Sequence, residues 1–126
     1  MKKVLLTGAS GFVGRHCLPA LVARGYEVHA VSSSATAPAD TPPGVRWHQA
    51  DLLDGAQVSA LLAQVRPRHL LHSAWYAVPG KYWTAPENFR WVRASLHLLQ
   101  TFAAHGGRRV VVVGSSAEYD WHYGYC

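Results

Sequence analysis

Residues 7–14 read Thr7-Gly8-Ala9-Ser10-Gly11-Phe12-Val13-Gly14, and the expected architecture follows from this stretch. It succeeds a short apolar segment typical of a buried strand and opens a segment with helical periodicity. The first glycine permits a sharp turn, the second lets a pyrophosphate approach the backbone, and the third lets the helix lie close to the strand. Free N–H groups at the helix start would then face the phosphates of a dinucleotide.

Strands and helices alternate along the chain. Predicted strands cover 3–7, 26–31, 45–49, 69–73 and 109–113, and predicted helices cover 12–24, 54–65 and 84–105. This alternation predicts an α/β fold with a doubly wound parallel sheet in the order 3-2-1-4-5. Sheets of this type carry a sixth strand, so we expect residues 1–126 to form an incomplete dinucleotide-binding domain of a longer protein, truncated before that strand and lacking its substrate-binding region.

Capping residues mark the expected helix boundaries. Asp54 is predicted to cap the second helix, and Thr84, with Glu87 three positions later, the third. Gly25 is expected to end the first helix in the left-handed conformation. Pro19 removes one hydrogen bond inside that helix and predicts a bend.

Composition limits the classes of function. No apolar run approaches the roughly 20 residues that span a bilayer, and no secretory leader is recognised, so we expect a cytoplasmic protein without a membrane partner. The net charge is +5, but the basic residues are scattered, which favours a solvated surface over nucleic-acid binding. Cys17 and Cys126 are expected to be reduced thiols. Of the eight histidines, His69 and His72 are expected to point to opposite faces of one strand, and no other pair has metal-ligand spacing beside a cysteine or a carboxylate.

The second strand ends at Ser32-Ser33-Ser34, where dinucleotide-binding proteins select their cofactor. A carboxylate about 20 residues past the glycines would hold the ribose 2′-OH of NAD, and this segment has none. Hydroxyl groups can donate hydrogen bonds to a 2′-phosphate, and Arg15 could supply a cation. The cofactor is therefore expected to be NAD(P), with a slight preference for NADP.

The spacing Gly-x-x-Gly-x-x-Gly resembles the fingerprint of the short-chain dehydrogenase/reductase family, and four further stretches resemble its extended epimerase/dehydratase branch. These stretches are Asp51-Leu52, His72-Ser73-Ala74-Trp75, Trp91 to Leu99, and Gly114 to Tyr119. The resemblance implies a Rossmann fold and an oxidoreductase or epimerase. Such an enzyme transfers hydride to or from a carbonyl or alcohol carbon, here of a nucleotide-linked sugar. The resemblance is also compatible with a homodimer of the full-length parent protein.

The resemblance also implies roles for individual residues. Asp51 would bind the adenine amino group, Leu52 would contact the ring, and Ser73 and Ala74 would lie beside the ribose and nicotinamide. Ser115 falls at the position of the catalytic hydroxyl, with Ser116 as the runner-up and two loop-forming serines as the structural alternative. The complete cofactor set implied is Gly8, Ser10, Gly11, Phe12, Val13, Gly14, Ser32, Asp51, Leu52, Ser73 and Ala74.

Several positions depart from the family pattern. Ser116 and Ala117 replace the Asp-Glu pair of the dehydratases, which disfavours dehydration. Trp75 replaces the second alanine of His-x-Ala-Ala, and Trp91 replaces an asparagine.

The general acid/base of the family is a Tyr-x-x-x-Lys pair, and no lysine of this sequence lies four residues after a tyrosine. We expect that pair downstream of residue 126. The alternative is a non-catalytic, redox-sensing dinucleotide-binding module. The aromatic loop 75–83 is expected either to contact substrate or to contact the rest of the parent protein.

Overall fold

The computed structural model describes residues 2–124. Its strands are β1 (Lys2–Thr7), β2 (Tyr26–Ser32), β3 (Arg46–Gln49), β4 (His69–His72) and β5 (Arg109–Val112). Its helices are α1 (Phe12–Ala23), α2 (Gly55–Val65) and α3 (Glu87–Ala104), followed by 3₁₀ turns at Ser116–Glu118 and Trp121–Tyr123. All strand pairs are parallel and the order is β3-β2-β1-β4-β5, which confirms the predicted Rossmann-like sheet.

The sheet separates two apolar layers. Along β1, Val4 and Leu6 point towards α1, whereas Leu5 points towards α2 and α3, because successive side chains of a strand alternate between faces. Leu18 of α1 fills the first layer, and Phe102 of α3 fills the second. The central strand is thus buried on both faces, which explains its continuous apolar sequence.

β5 forms one edge of the sheet and is far less covered than β1. Each residue from Val110 to Val113 is between 37% and 55% exposed. Val111 pairs with Leu71 of β4 on the same face as α1. The surface around β5 is therefore apolar and open.

Most predicted boundaries agree with the structure to within one residue. The Asp54 carboxylate accepts hydrogen bonds from the N–H groups of Ala56 and Gln57, which confirms the predicted cap of α2. Gly25 has φ +75° and donates to the Val22 carbonyl oxygen at 2.9 Å, which confirms the end of α1. Pro19 lies inside α1.

The predicted cap of the third helix is wrong. α3 begins at Glu87, and Pro86 rather than Thr84 occupies the N-cap position, without a side-chain cap bond. The N–H groups of Asn88 and Phe89 instead donate to the carbonyl oxygens of Ala85 and Pro86. Ala85 is only 8% exposed, so the chain is anchored in the core there and Thr84 lies before the first helical turn.

Among residues 2–124, no helix is both long enough and apolar enough to cross a membrane. Cys17 is a half-buried free thiol on α1. The second predicted thiol, Cys126, lies outside the described residues.

Candidate functional site

The glycine turn joins the carboxyl end of β1 to the start of α1. Gly8 has φ +65°, and the Gly11 N–H donates to the Gly8 carbonyl oxygen at 3.0 Å. A Cβ atom at Gly8 would lie 2.7 Å from Ser73 Oγ and 2.8 Å from the Ala74 nitrogen. Only glycine fits this position, because both the backbone conformation and the close approach of β4 exclude a side chain.

The other two glycines have different surroundings. A Cβ atom at Gly14 would overlap the Gly8 carbonyl group and lie 2.9 Å from Ala9 Cα. A Cβ atom at Gly11 would have only the Gly8 carbonyl oxygen nearby, at 3.3 Å. Gly14 is buried and Gly11 is exposed. Gly14 therefore allows α1 to contact the turn, whereas Gly11 leaves the outer surface of the turn open to a ligand.

A cleft of about 370 Å³ opens beside this turn at the carboxyl edge of the sheet. Six of the residues expected to bind the cofactor meet in its lining: Gly8, Ser10, Ser32, Asp51, Leu52 and Ala74. The other five expected residues do not line the cleft. Gly11, Phe12 and Val13 are exposed at the start of α1, and Gly14 is buried behind them. The Ser73 hydroxyl donates to the Thr7 carbonyl oxygen of β1.

The cleft also contains residues that the sequence did not assign to it, including Tyr76, Glu87 and Trp91. The position of Tyr76, two residues after Ala74, is a sequence signal that could place it in the cleft. The sequence around Glu87 predicts only the start of a helix. A larger cavity of about 480 Å³ lies between α2 and α3 beside Arg90, Arg93 and His97, but the glycine turn does not line it.

Thr7 connects β1 to β4 directly beneath the turn. Its hydroxyl oxygen accepts hydrogen bonds from the N–H groups of Ser73 at 3.1 Å and Ala74 at 3.3 Å. With two donors already accepted, the hydroxyl hydrogen must point to His72 Nδ1, 2.6 Å away. His72 therefore carries its proton on Nε2, which donates to Ser95 Oγ of α3 at 2.8 Å. This chain of bonds links β1, β4 and α3 next to the glycine turn.

Burial lowers the pKa of His72, which is only 3% exposed. A second proton would enter at Nδ1, where it would oppose the Thr7 hydroxyl hydrogen and break the Thr7–His72 bond. The pKa of His48 is also lowered, by burial, by the nearby His29 and by Arg46. His48 Nε2 lies 2.8 Å from His29 Nδ1 on the adjacent strand.

We expect the free energy of unfolding to fall as the pH drops below about 6.5, the ordinary histidine pKa. A histidine with a lowered pKa in the folded state takes up its proton more readily when unfolded, so its contribution is complete above that pH and decreases below it. Urea denaturation at several pH values between 5 and 8 measures how the free energy of unfolding depends on pH. His16→Gln, which changes an exposed histidine, should keep the parent slope, whereas His72→Gln should reduce it. If the free energy of unfolding did not depend on pH in this range, the conclusion that burial lowers the pKa of His72 would be contradicted.

The end of β2 supplies hydroxyl groups to the cleft. Ser32 is 8% exposed, and its Oγ accepts a hydrogen bond from the Ser34 N–H at 3.1 Å. Ser10 Oγ of the glycine turn lies 3.5 Å from Ser32 Oγ. Both residues line the cleft, so their hydroxyl groups lie side by side there.

Asp51 also lines the cleft. Its Oδ1 accepts from the Leu53 N–H at 2.9 Å, and its own N–H donates to Gln57 Oε1 at 2.9 Å. Among the hydrogen bonds described for residues 2–124, none involves Asp51 Oδ2. The carboxylate is therefore held in one orientation with an oxygen available to an amino group.

Ser115 caps the 3₁₀ turn that follows β5. Its Oγ accepts from the Ala117 N–H at 3.1 Å, and its N–H donates to Glu118 Oε1 at 2.9 Å. The serine is exposed, and because its oxygen only accepts in these contacts, its hydrogen can still be donated to a substrate oxygen.

Several known proteins are similar to this chain in sequence. The model of the NAD dependent epimerase/dehydratase family matches residues 4–124. The chain is 29% identical over 119 residues to a chloroplastic divinyl chlorophyllide a 8-vinyl-reductase of Zea mays, covering 89% of this chain and 30% of that protein. It is 25% identical over 132 residues to UDP-glucose 4-epimerase 2 of Oryza sativa subsp. japonica, covering 94% and 32%.

A solved structure is also similar to this chain, in fold and in sequence. The UDP-glucose 4-epimerase of Thermus thermophilus, in complex with NAD, superposes with a TM-score of 0.73 and 31% identity, covering 86% of this chain and 36% of the other. The chain thus spans about a third of the length of these relatives.

Proposed function

Since the chain belongs to the NAD dependent epimerase/dehydratase family, we propose that it forms the NAD(P)-binding part of an oxidoreductase or epimerase. The parent enzyme would transfer hydride to or from a carbonyl or alcohol carbon of a nucleotide-linked sugar. The UDP-glucose epimerases among its relatives support this substrate class.

The single observation that carries the proposal is the cleft between the glycine turn, Ser32, Asp51 and Ala74. A pyrophosphate would lie in front of Gly11, where a Cβ atom would meet only the Gly8 carbonyl oxygen and where the first residues of α1 are exposed. Asp51 Oδ2 would accept a hydrogen bond from the adenine amino group, and Leu52 would contact the ring. The residues present therefore fit a dinucleotide.

The proposed roles at the reacting end follow from the strand ends. A bound nicotinamide supplies the hydride chemistry. Ala74 would leave room beside β4 for the nicotinamide ribose, and Ser115, after β5, would donate its hydroxyl hydrogen to the substrate oxygen. Such a donor stabilises the negative charge that develops on that oxygen during the reaction.

We expect the chain to bind NADPH more tightly than NADH. The Ser10 and Ser32 hydroxyl groups, 3.5 Å apart, offer donors to a 2′-phosphate, and Ser32 to Ser34 include no carboxylate to repel it. Calorimetric titration of both cofactors measures the difference. Ser32→Asp should reverse the preference, because a carboxylate there repels the phosphate and accepts from the ribose hydroxyl of NADH. Tighter NADH binding by the parent chain would contradict this prediction.

The proposal as a whole is tested with purified residues 1–126. We expect measurable dinucleotide binding but no steady oxidation or reduction of nucleotide-sugars, because the sequence contains no Tyr-x-x-x-Lys pair to transfer the proton. Loss of positioned acid–base catalysis costs about 10²–10⁴ in rate. Calorimetry measures the binding, and nicotinamide absorbance measures the turnover. Turnover at ordinary enzyme rates would require another acid, such as Tyr119, and would refute this account.

A second candidate function is a redox-sensing module that binds the dinucleotide without catalysis. The observation in its favour is that the Ser115 hydroxyl already caps a 3₁₀ turn. A module of this kind would bind oxidised and reduced cofactor with clearly different affinities. Similar affinities for NADP⁺ and NADPH would favour the enzyme.

A further inference from the structure

The cavity between α2 and α3 has a basic side. Its volume of about 480 Å³ is within the range of pockets that bind small molecules. α3 contributes Arg90, Arg93 and His97 to the lining, and these residues share one face of the helix because they lie three and four positions apart. Two guanidinium groups and an imidazole ring therefore border one space, which we call the basic cavity.

The positive charge of the basic cavity is not matched by acidic residues in the part of the chain that the structure describes. No acidic residue lines the cavity, and none of the ion pairs described for residues 2–124 involves Arg90 or Arg93. The Asp54 carboxylate accepts from two backbone N–H groups of α2 and from the Gln57 amide. Glu87, one turn before Arg90, lines the cofactor cleft instead. The charge of the two arginines therefore favours an anionic ligand.

His97 joins the two helices beside the arginines. Its Nε2 lies 3.1 Å from the Gly55 carbonyl oxygen and 3.3 Å from Ser59 Oγ, both on α2. Because a carbonyl oxygen only accepts, Nε2 carries a hydrogen and donates it to Gly55. A Cβ atom at Gly55 would lie 3.3 Å from this nitrogen, so the glycine allows the close approach of the ring. The helix spacing that shapes the cavity is therefore fixed before a ligand arrives, which lowers the entropy cost of binding.

The other side of the basic cavity is apolar. Leu52, Leu53 and Ala94 complete the lining, and Leu53 is 42% exposed, so part of its apolar surface is open to a ligand. The two leucines also line the cofactor cleft, whereas Arg90 and Arg93 do not. The basic cavity thus adjoins the cleft across these leucines and has charged groups of its own.

We propose that the basic cavity is a second ligand site, which binds a small molecule that joins a phosphate monoester to an apolar group. The phosphate oxygens accept hydrogen bonds from Arg90 and Arg93, because a guanidinium group presents its donors in a planar fork that matches a phosphate. The apolar group lies against Leu53. Since the glycine turn does not line this cavity, the ligand binds whether or not a dinucleotide is present.

The test titrates ¹⁵N-labelled residues 1–126 with phenyl phosphate, inorganic phosphate and phenol at neutral pH, where a phosphate monoester carries close to two negative charges. Amide chemical shifts locate the ligand: binding in the basic cavity shifts the amides of 52–55 and 90–97, whereas binding at the glycine turn shifts those of Ser10 and Gly11. Phenyl phosphate should bind about tenfold more tightly than inorganic phosphate, because its ring buries apolar surface. Phenol, which lacks the charge, should give no saturable shift.

Substitutions in the lining separate the charged and the apolar contributions. Arg90→Gln and Arg93→Gln should each weaken phenyl phosphate binding about tenfold, because each removes charge-assisted hydrogen bonds. Leu53→Ala should reduce the preference for phenyl phosphate over inorganic phosphate. Arg24→Gln is the matched control: it removes the same charge from the end of α1, on the opposite face of the sheet, and should leave the affinity unchanged.

Several results would overturn the proposal. These are shifts confined to the glycine turn, an equal loss of affinity in Arg24→Gln, or competition between NADPH and phenyl phosphate, which would make the cavity part of the cofactor site. Shifts of the cavity amides with protein concentration alone would mean that a second copy of the chain covers the cavity, and would also overturn it. NADPH binding without phenyl phosphate binding refutes only this inference, and phenyl phosphate binding without NADPH binding refutes only the proposed function.

Discussion

Replacing Gly14 by alanine is expected to reduce the free energy of unfolding by about 3 kcal/mol, near the upper end of ordinary overpacking. The added methyl group would overlap the Gly8 carbonyl group and approach Ala9 Cα to 2.9 Å. Both neighbours belong to the backbone of the turn, so relief requires α1 to move away from β1 and disrupts the layer that Leu18 fills. Urea denaturation followed by circular dichroism measures the loss.

The same substitution three residues earlier provides the comparison. Gly11→Ala places its methyl group 3.3 Å from the Gly8 carbonyl oxygen, with φ at an ordinary −76°. A shift of a few tenths of an ångström relieves that contact, and we expect a cost below about 1 kcal/mol. Equal stability of the two variants would show that α1 does not lie against the turn as described.

Replacing Gly11 by valine is expected to weaken dinucleotide binding by about 100-fold while the chain remains folded. The outer surface of the turn at Gly11 is open, so the valine methyl groups would occupy the space that a pyrophosphate needs. Displacing a bound group by about 1 Å can cost on the order of 10²-fold. Calorimetric titration with NADPH measures the change.

Circular dichroism provides the necessary check on Gly11→Val, because loss of binding counts only if the fold survives. Val92→Ala is a suitable control: Val92 is 49% exposed on α3 and belongs neither to the glycine turn nor to the residues expected to bind the cofactor. A Gly11→Val variant that remains folded and binds NADPH as well as the parent would mean that the turn does not hold phosphates.

The sheet order and the glycine turn could be predicted because they depend on local signals. The apolar run of β1, the glycine spacing and the Asp54 cap each act within a few residues, and the order follows from right-handed crossovers. The start of α3 could not be predicted in this way. Thr84 has the right residue type for a cap, but burial of Ala85, a tertiary effect, moves the helix start to Glu87.

The hydrogen bonds that support the site could not be predicted from the sequence either. Thr7 and His72 are 65 positions apart in the chain, His72 and Ser95 are 23 apart, and only the assembled sheet brings them within hydrogen-bond distance. The two tryptophans that depart from the family pattern, Trp75 and Trp91, lie beside each other in the structure. The sequence shows each departure singly, but their pairing depends on how α3 packs against the end of β4.

The central place of β1 predicts an order of amide hydrogen exchange. β1 bonds to β2 on one side and β4 on the other, whereas β5 lies at an edge with exposed side chains. Opening β1 requires both neighbouring pairs to separate, so its amides, up to Thr7, should exchange only with global unfolding, while those of β5 should exchange by local fraying. The glycine turn therefore begins at the end of the slowest-exchanging strand of the molecule, and local opening at the β5 edge should leave its shape unchanged.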